Sequence, residues 1–357
     1  MNALTTSQRT PEIESTTHGA GGRLRRISAT IVWVASWAVL ALIVIVAILL
    51  HWAGDASWPM TLMTFAPRWI ALLPPAALAP LAVIIRRRAL VPLVLAAAGA
   101  AGPVMGFCVP WRALMSREPQ NKLVLRVATF NVGGGIDSAG MIRFFREFRP
   151  DIVAFQDWPA ELGYPVEIEH DWHWQRHGSL FIASRFPISK LVVSEKAAGR
   201  LYPPAIRCAV DTPAGAVEVS CVHLYTLRKG LDAVRARKWR GGPELERVTA
   251  IRNEDSALAS RLAADSDGPA LVLGDFNMTS DSTIFHRDWS AWQDAFAVRG
   301  FGLGYTFNTR RIGLRIDHVL ADRKHWHVRS SRVGPDLSGE HRPVVAELEL
   351  VDDNSRR

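Results

Sequence analysis

The strongest constraint on this chain is a stretch without a single Asp, Glu, Lys or Arg between Arg26 and Asp55. Within it, Ile31 to Leu50 is drawn almost wholly from Ile, Val, Leu, Ala and Trp. About twenty such residues, wound as a helix, cross the roughly 30 Å of a bilayer's hydrocarbon. Two more uncharged runs follow, Trp69 to Ile85 and Ala89 to Trp111, separated only by Arg86, Arg87 and Arg88. Pro74, Pro75 and Pro80 kink the second run but do not exclude it, because neighbouring helices can satisfy the freed carbonyls in a membrane. A cleavable signal fits poorly, since the segment before the first run is long and two further runs follow it. The reading is a membrane anchor of three transmembrane helices over residues 27–111.

Orientation follows from the short loops. Arg23, Arg25 and Arg26 precede the first run and the arginine triplet joins the second to the third, whereas the loop from Ala53 to Pro67 holds Asp55 and no Arg or Lys before Arg68. Basic loops stay on the cytoplasmic side. This implies a multi-pass protein of the cell membrane with the N-terminal tail 1–26 cytoplasmic and everything after Trp111 extracytoplasmic. The net charge of +8 owes much to this arginine flanking, so it says little about nucleic acid.

A linker, 112–122, leads to a domain over 123–350 and a tail over 351–357. In the domain the pattern changes to short apolar runs between turn residues, which predict strands at Leu123 to Phe130, Asp151 to Asp157, Ser179 to Ser184, Ala205 to Val210, Ala216 to Leu224, Ala270 to Gly274, Ile316 to Leu320 and Val344 to Leu350. Helices are predicted at Ser138 to Phe148, where Met141, Phe144, Phe145 and Phe148 share a face, and at Pro243 to Ala264. The result is a mixed α/β domain. Pairing across the turn Thr212 to Gly215 sets Cys208 near Val219 and Cys221 near Ile206, a diagonal that favours buried free thiols over a disulfide.

Metal-competent polar residues recur where these strands end. Asn131 follows Arg-Val-Ala-Thr-Phe, Gln156 and Asp157 end Asp-Ile-Val-Ala-Phe, and His223 lies in Val-Ser-Cys-Val-His-Leu. Asp275 and Asn277 follow Leu-Val-Leu-Gly, Asp317 lies in Arg-Ile-Asp-His-Val-Leu, and Glu340 and His341 precede Arg-Pro-Val-Val. Singly, such residues are ordinary turn, cap or core residues. Together they supply oxygens for a hard cation, a base to orient water, and donors for phosphoryl oxygens, which is what phosphoester hydrolysis needs.

The ordered set Thr-Phe-Asn-Val, Asp-Ile-Val-Ala-Phe-Gln-Asp, Val-His-Leu, Gly-Asp-Phe-Asn, Arg-Ile-Asp-His and Glu-His-Arg-Pro-Val resembles the endonuclease/exonuclease/phosphatase superfamily. The resemblance implies a deoxyribonuclease-like four-layer αββα sandwich of two mixed sheets. It implies that Asn131 and Asp157, with Glu340, bind Mg²⁺ or Mn²⁺. It further implies that Asp275 orients or deprotonates water, that Asn277 donates to the phosphoryl group, and that His341 contacts the scissile phosphate with Asp317 fixing its tautomer. His223 matches the family's other active-site histidine and Arg207 a phosphate-binding arginine. Two departures stand out: Asp157 replaces the usual Glu and Glu340 the usual Asp, each moving a carboxylate by one methylene, in opposite senses.

The cluster His170, Trp172, His173, Trp174 and His177 reads as a structural or rim loop, not a second metal site. The basic run Arg228, Lys229, Arg235, Arg237, Lys238 and Arg240 reads as a solvated loop beside the site, with attraction of anionic substrate or lipid headgroups as its functional reading. Three apolar spans followed by this domain, including Ala-Pro-Arg-Trp at Ala66 to Trp69, are similar to bacterial membrane proteins linked to teicoplanin resistance. That points to a membrane-associated substrate, a lipid-linked or envelope phosphate or pyrophosphate, with the bilayer itself as partner and no obligate protein partner. An extracellular nuclease and a non-catalytic phosphate-binding module are the alternatives.

Overall fold

The computed structural model describes residues 17–111, 123–135, 137–159, 171–309 and 312–351. The expected linker 112–122, the first sixteen residues, the last six and His170 lie outside the described residues. Two compact units result, one from residues up to Ile45 with Ala71–Ala100, the other from Val46–Ile70 with Ala101 onward.

In the first unit, helix α1 (Thr17–Ala53) contributes its N-terminal part beside α3 (Leu73–Ile85) and α4 (Leu90–Gly99). Val32, Ala82, Ala89 and Leu93 form their shared core, and the Arg86 guanidinium lies 4.7 Å from the Trp33 ring centre. Three helical stretches, Gly22–Ala53, Arg68–Ile85 and Arg87–Val104, are long and apolar enough to cross a membrane. Only 17%, 11% and 33% of their most apolar windows are buried, so their side chains face outward as lipid-facing helices do, unlike the core helices of a globular domain. The third stretch ends at Val104, short of Trp111, because the chain leaves the helix around Pro103 and Gly106, whose φ is +77°.

Two six-stranded sheets form the body of the second unit. One has the order β13 (Trp326–Val333), β14 (Val344–Leu350), β1 (Val124–Asn131), β2 (Ile152–Gln156), β4 (Leu180–Ser184), β3 (His173–His177). The other runs β5 (Ile188–Val193), β6 (Ala205–Thr212), β7 (Gly215–His223), β8 (Ala270–Asp275), β12 (Asp317–Asp322), β9 (Trp292–Asp294). A two-stranded ribbon, β10 (Phe307–Asn308) with β11 (Gly313–Leu314), stands apart. Each large sheet has one parallel pair at its centre, β1 with β2 and β7 with β8, and is otherwise antiparallel.

The inner faces pack on each other through Leu125, Val127, Ile182, Ile206, Val219, Leu273 and Leu348. Helix α5 (Ser138–Phe148) covers the first sheet, laying Met141, Phe144 and Phe148 on Phe130, Val153 and Phe155. Helices α7 (Gly242–Ala264) and α8 (Thr283–Trp289) cover the second around Phe276. This is the expected αββα sandwich. Cys208 pairs with Val219 and Cys221 with Ile206, and both thiols are free and buried.

Three readings change. The basic run is not a loop: Arg228–Arg237 is helix α6, followed by a 3-10 turn, and it packs Leu227, Leu231 and Val234 against Leu245 and Val248 of α7. The described part of the histidine-rich cluster is an edge strand, β3, whose Trp174 stacks on Phe181, while Trp172 meets Phe145 edge-on. The unit also takes in the segment that follows the first apolar run. Helix α2 (Trp58–Thr64) lies on α7, with Trp58, Leu62 and Phe65 covering Leu245 and Val248.

Candidate active site

Parallel strand pairs end on one rim, and both central pairs of this sandwich end on the same one, the usual place for ligands in α/β sheets. Asn131 sits opposite Gln156 at the ends of β1 and β2, and His223 opposite Asp275 at the ends of β7 and β8. Antiparallel β12 begins there, with Asp317 opposite Asp275, and His341 lies just before β14. Gly274 permits the closeness: a Cβ there would lie 2.1 Å from the Val222 carbonyl oxygen, so only glycine brings β7 and β8 together at this point.

A hydrogen bond joins the sheets at the rim. Asn131 Nδ2 donates to Asp275 Oδ2 at 2.9 Å, and Asn131 Oδ1 accepts from the Gly133 amide at 2.8 Å. A Cβ on Gly133 would lie 3.0 Å from Asn131 Oδ1 and 3.1 Å from Asp157 Oδ2, so both oxygens border this glycine. The Asp157 side chain is 46% exposed and its backbone has φ +53°, a left-handed conformation that turns it off the strand end. His223 bridges the two halves, with Nδ1 3.4 Å from Asp157 Oδ1 and Nε2 3.7 Å from Asp275 Oδ2.

Asp275 is buried and held by three N–H donors: Asn131 Nδ2, the Asn277 amide at 2.8 Å and Asn277 Nδ2 at 3.2 Å. Burial and the neighbouring Asp317 nevertheless raise its pKa above the ordinary carboxylate value. His341 Nδ1 lies 2.8 Å from Asp317 Oδ2, which leaves Nε2 facing Asp275 Oδ2 at 3.8 Å. Burial works against the imidazolium, but Asp317 and Asp275 outweigh it and push His341 up to about 9. A carboxylate made more basic beside an imidazole kept protonated is an acid–base pair sorted by environment.

The expected roles divide accordingly. Asn131, Asp157, His223, Asp275, Asn277, Asp317 and His341 are brought together. Asn277 differs in detail, because one Nδ2 hydrogen goes to Asp275 at 3.2 Å and the other to the Leu224 carbonyl oxygen at 2.9 Å, so both are engaged within the protein. Glu340 reaches the rim through its backbone, whose amide donates to the Gly133 oxygen at 3.1 Å, while its carboxylate pairs with Arg228. Arg207 is not at the site. Its guanidinium is tied to Glu218, to the Leu262 carbonyl oxygen and to Asp265 behind the second sheet. Arg228, at the start of α6, does reach the rim, where it feels both Glu340 and Asp157.

The donor set fits a hard divalent cation. Two oxygens bordering Gly133, Asn131 Oδ1 and an Asp157 carboxylate left half in solvent, are the ligand chemistry Mg²⁺ and Mn²⁺ prefer. Among the described residues, Asp275, Asp317 and His341 also place ligand atoms within 4.8 Å of one another, though the facing atoms of His341 and Asp317 are spent on each other.

No curated protein matches the chain. Among solved structures it is similar to an endonuclease/exonuclease/phosphatase family protein from Bacteroides thetaiotaomicron, at 15% identity and TM-score 0.50, over 65% of this chain and 99% of that one. It is also similar to an endonuclease/exonuclease/phosphatase from Beutenbergia cavernae, at 17% identity and TM-score 0.46, over 64% and 72%. An AP endonuclease from Archaeoglobus fulgidus aligns at 18% identity and TM-score 0.46, over 64% and 99%. The first of these likenesses speaks for the fold alone. The model of the endonuclease/exonuclease/phosphatase family matches residues 128–340, more than half of the chain and the rim from Asn131 to Glu340, so the chain belongs to that family.

Proposed function

We propose that this protein is a membrane-tethered, divalent-metal-dependent phosphoester hydrolase that works on the extracytoplasmic face and takes lipid-linked or envelope phosphates as substrates. The observation that carries the reading is the rim itself. One buried carboxylate is held by three N–H donors beside an imidazolium, with the Asn131 and Asp157 oxygens around Gly133 close by.

Asn131 and Asp157, with Glu340 at the edge, would hold the cation, which when bound supplies positive charge against the developing phosphoryl charge. Asp275 orients the attacking water and accepts its proton, helped by its raised basicity. Asn277 keeps that carboxylate in place. His341, protonated and oriented by Asp317, presents Nε2–H to a phosphoryl oxygen. Arg228, paired with Glu340 and near Asp157, offers a second cationic donor at the rim.

Two features support a site next to a membrane. The loop after the first apolar helix packs into the same unit as the catalytic sheets, consistent with one crossing before the loop and three before the domain, both odd. The end of helix α6 and the 3-10 turn after it then carry Arg235, Arg237, Lys238 and Arg240 outward beside Trp239, which is 68% exposed. An aromatic side chain among exposed basic ones is the composition of a surface that rests on anionic headgroups.

The test uses the full chain in nanodiscs with Mg²⁺ or Mn²⁺, offered a polyprenyl pyrophosphate, phospholipids and single-stranded DNA, with Asp275→Ala as control. Lipid-linked phosphate should turn over fastest. DNA cleavage without lipid turnover would replace the substrate reading with the nuclease one.

A further inference from the structure

The loop that carries Asp275 and Asn277 is gripped from behind by the segment between the first and second apolar helices. Arg252, fully buried on α7, donates through Nη1 to the Asn277 carbonyl oxygen at 2.7 Å and through Nη2 to Asp55 Oδ1 at 2.7 Å. The other Asp55 oxygen accepts from the Ser282 hydroxyl. Arg68 forms a second arm: Nη1 lies 3.0 Å from Asp281 Oδ2, and Nη2 donates to Thr279 Oγ1 at 3.2 Å and to the Thr64 carbonyl oxygen at 2.7 Å. The side chains of Asp55 and Arg68 are 2% and 7% exposed.

From these contacts we infer that Asp55 and Arg68 are positioning residues, and that the site is complete only while the segment from Asp55 to Arg68 is docked on the catalytic loop. The linkage is short. Asp55 fixes Arg252, Arg252 fixes the Asn277 carbonyl, and Asn277 supplies two of the three N–H donors that hold Asp275. Asn277 has φ +49°, a left-handed turn that asparagine adopts more readily than most L-residues, and the Arg252 bond to its carbonyl oxygen fixes the orientation of that turn. From the opposite side, the Met278 oxygen lies 3.1 Å from His318 Nε2, and Arg315 donates to Ser280 Oγ at 3.0 Å. The sheet thus holds one side of the loop and the membrane-linking segment the other. A chain in which the segment from Asp55 to Arg68 is displaced loses the second hold.

The inference rests on the reading of Asp275 as the water-orienting carboxylate, so its test has one readout that needs no substrate. In the full chain in nanodiscs, Asp55→Asn and Arg252→Lys are compared with wild type by hydrogen exchange over residues 276–282 and by steady-state kinetics. Arg252→Lys keeps a charge for Asp55 but loses the fork that reaches Asn277. Both variants should speed exchange in 276–282 while β7 and β12 stay protected, and should lower kcat by about tenfold to a hundredfold with KM within about twofold, the usual cost of removing an outer supporting residue. If Asp55→Asn fails to fold, Asp281→Asn tests the Arg68 arm in the same way. Unchanged exchange over 276–282, or protection lost equally across the sheets, overturns the proposal. Should wild type hydrolyse no phosphoester, the functional reading fails while the exchange result still decides the clamp.

Discussion

Removing the Asp55 carboxylate should destabilise the catalytic domain, and the size of the loss can be worked from its partner. Asp55 is the only carboxylate that touches Arg252 among the described residues. In Asp55→Ala the rest of the segment stays in place, so Arg252 remains buried near Phe65 and its charge faces the Asn277 carbonyl oxygen without a carboxylate. Leaving one member of a buried pair uncompensated costs about 3–5 kcal/mol. In a domain of this size that lowers Tm by about 6–20 °C, at about 2–4 °C per kcal/mol. Arg252→Met separates the charge from the packing, because it keeps an unbranched apolar chain and removes the guanidinium. The substitution should raise the Tm of Asp55→Ala and lower that of the otherwise unchanged chain, measured by thermal unfolding of the full chain in matched detergent. Equal Tm for Asp55→Ala and wild type, or an Arg252→Met effect of the same sign in both backgrounds, would refute the argument.

Other expectations follow from the site. Asp317→Asn removes the largest influence holding His341 up at about 9, so the alkaline limb of the pH–rate profile should move to lower pH; an unmoved limb would mean that another group sets it. Arg228→Ala should lower kcat/KM about tenfold or more by removing a charge-assisted contact to the phosphoryl group, with Tm unchanged because the side chain is largely exposed; wild-type kinetics would leave Arg228 as a mere partner of Glu340. Burial pushes the thiols of Cys208 and Cys221 up to about 12, so neither should react with iodoacetamide in the native protein at pH 8, and both should after unfolding, as read by mass spectrometry.

Much of the fold was legible because the central strands are apolar on both faces. Ile152–Gln156 and Ala270–Asp275 are buried throughout, and such runs stand out from any sequence. Edge strands do not. His173–His177, Ile188–Val193 and Trp326–Val333 carry His, Arg, Lys or Ser on an exposed face, which dilutes the alternation. Helix α6 was hidden by its charges and by Gly230, which lets it sit close on Leu245. Site residues at strand ends were readable from position and residue type. Arg207 misled because it lies on β6, beside the site-forming strand β7, yet its guanidinium is tied to Glu218, Leu262 and Asp265 away from the rim. Arg252 was unreadable for a different reason: its burial depends on Asp55, a partner in a distant segment that sequence pattern had assigned to the membrane anchor.

The central claim, that Asp275 directs water onto phosphorus in a metal-dependent reaction, is tested most directly by isotope incorporation. Full-length protein in nanodiscs is given Mg²⁺ and a lipid pyrophosphate in water enriched in oxygen-18, and the released phosphate is weighed by mass spectrometry. The account predicts one solvent oxygen per phosphate released, with no release in the presence of chelator or from Asp275→Ala. Release that ignores chelator and matches Asp275→Ala, or no turnover of any phosphoester, would contradict it.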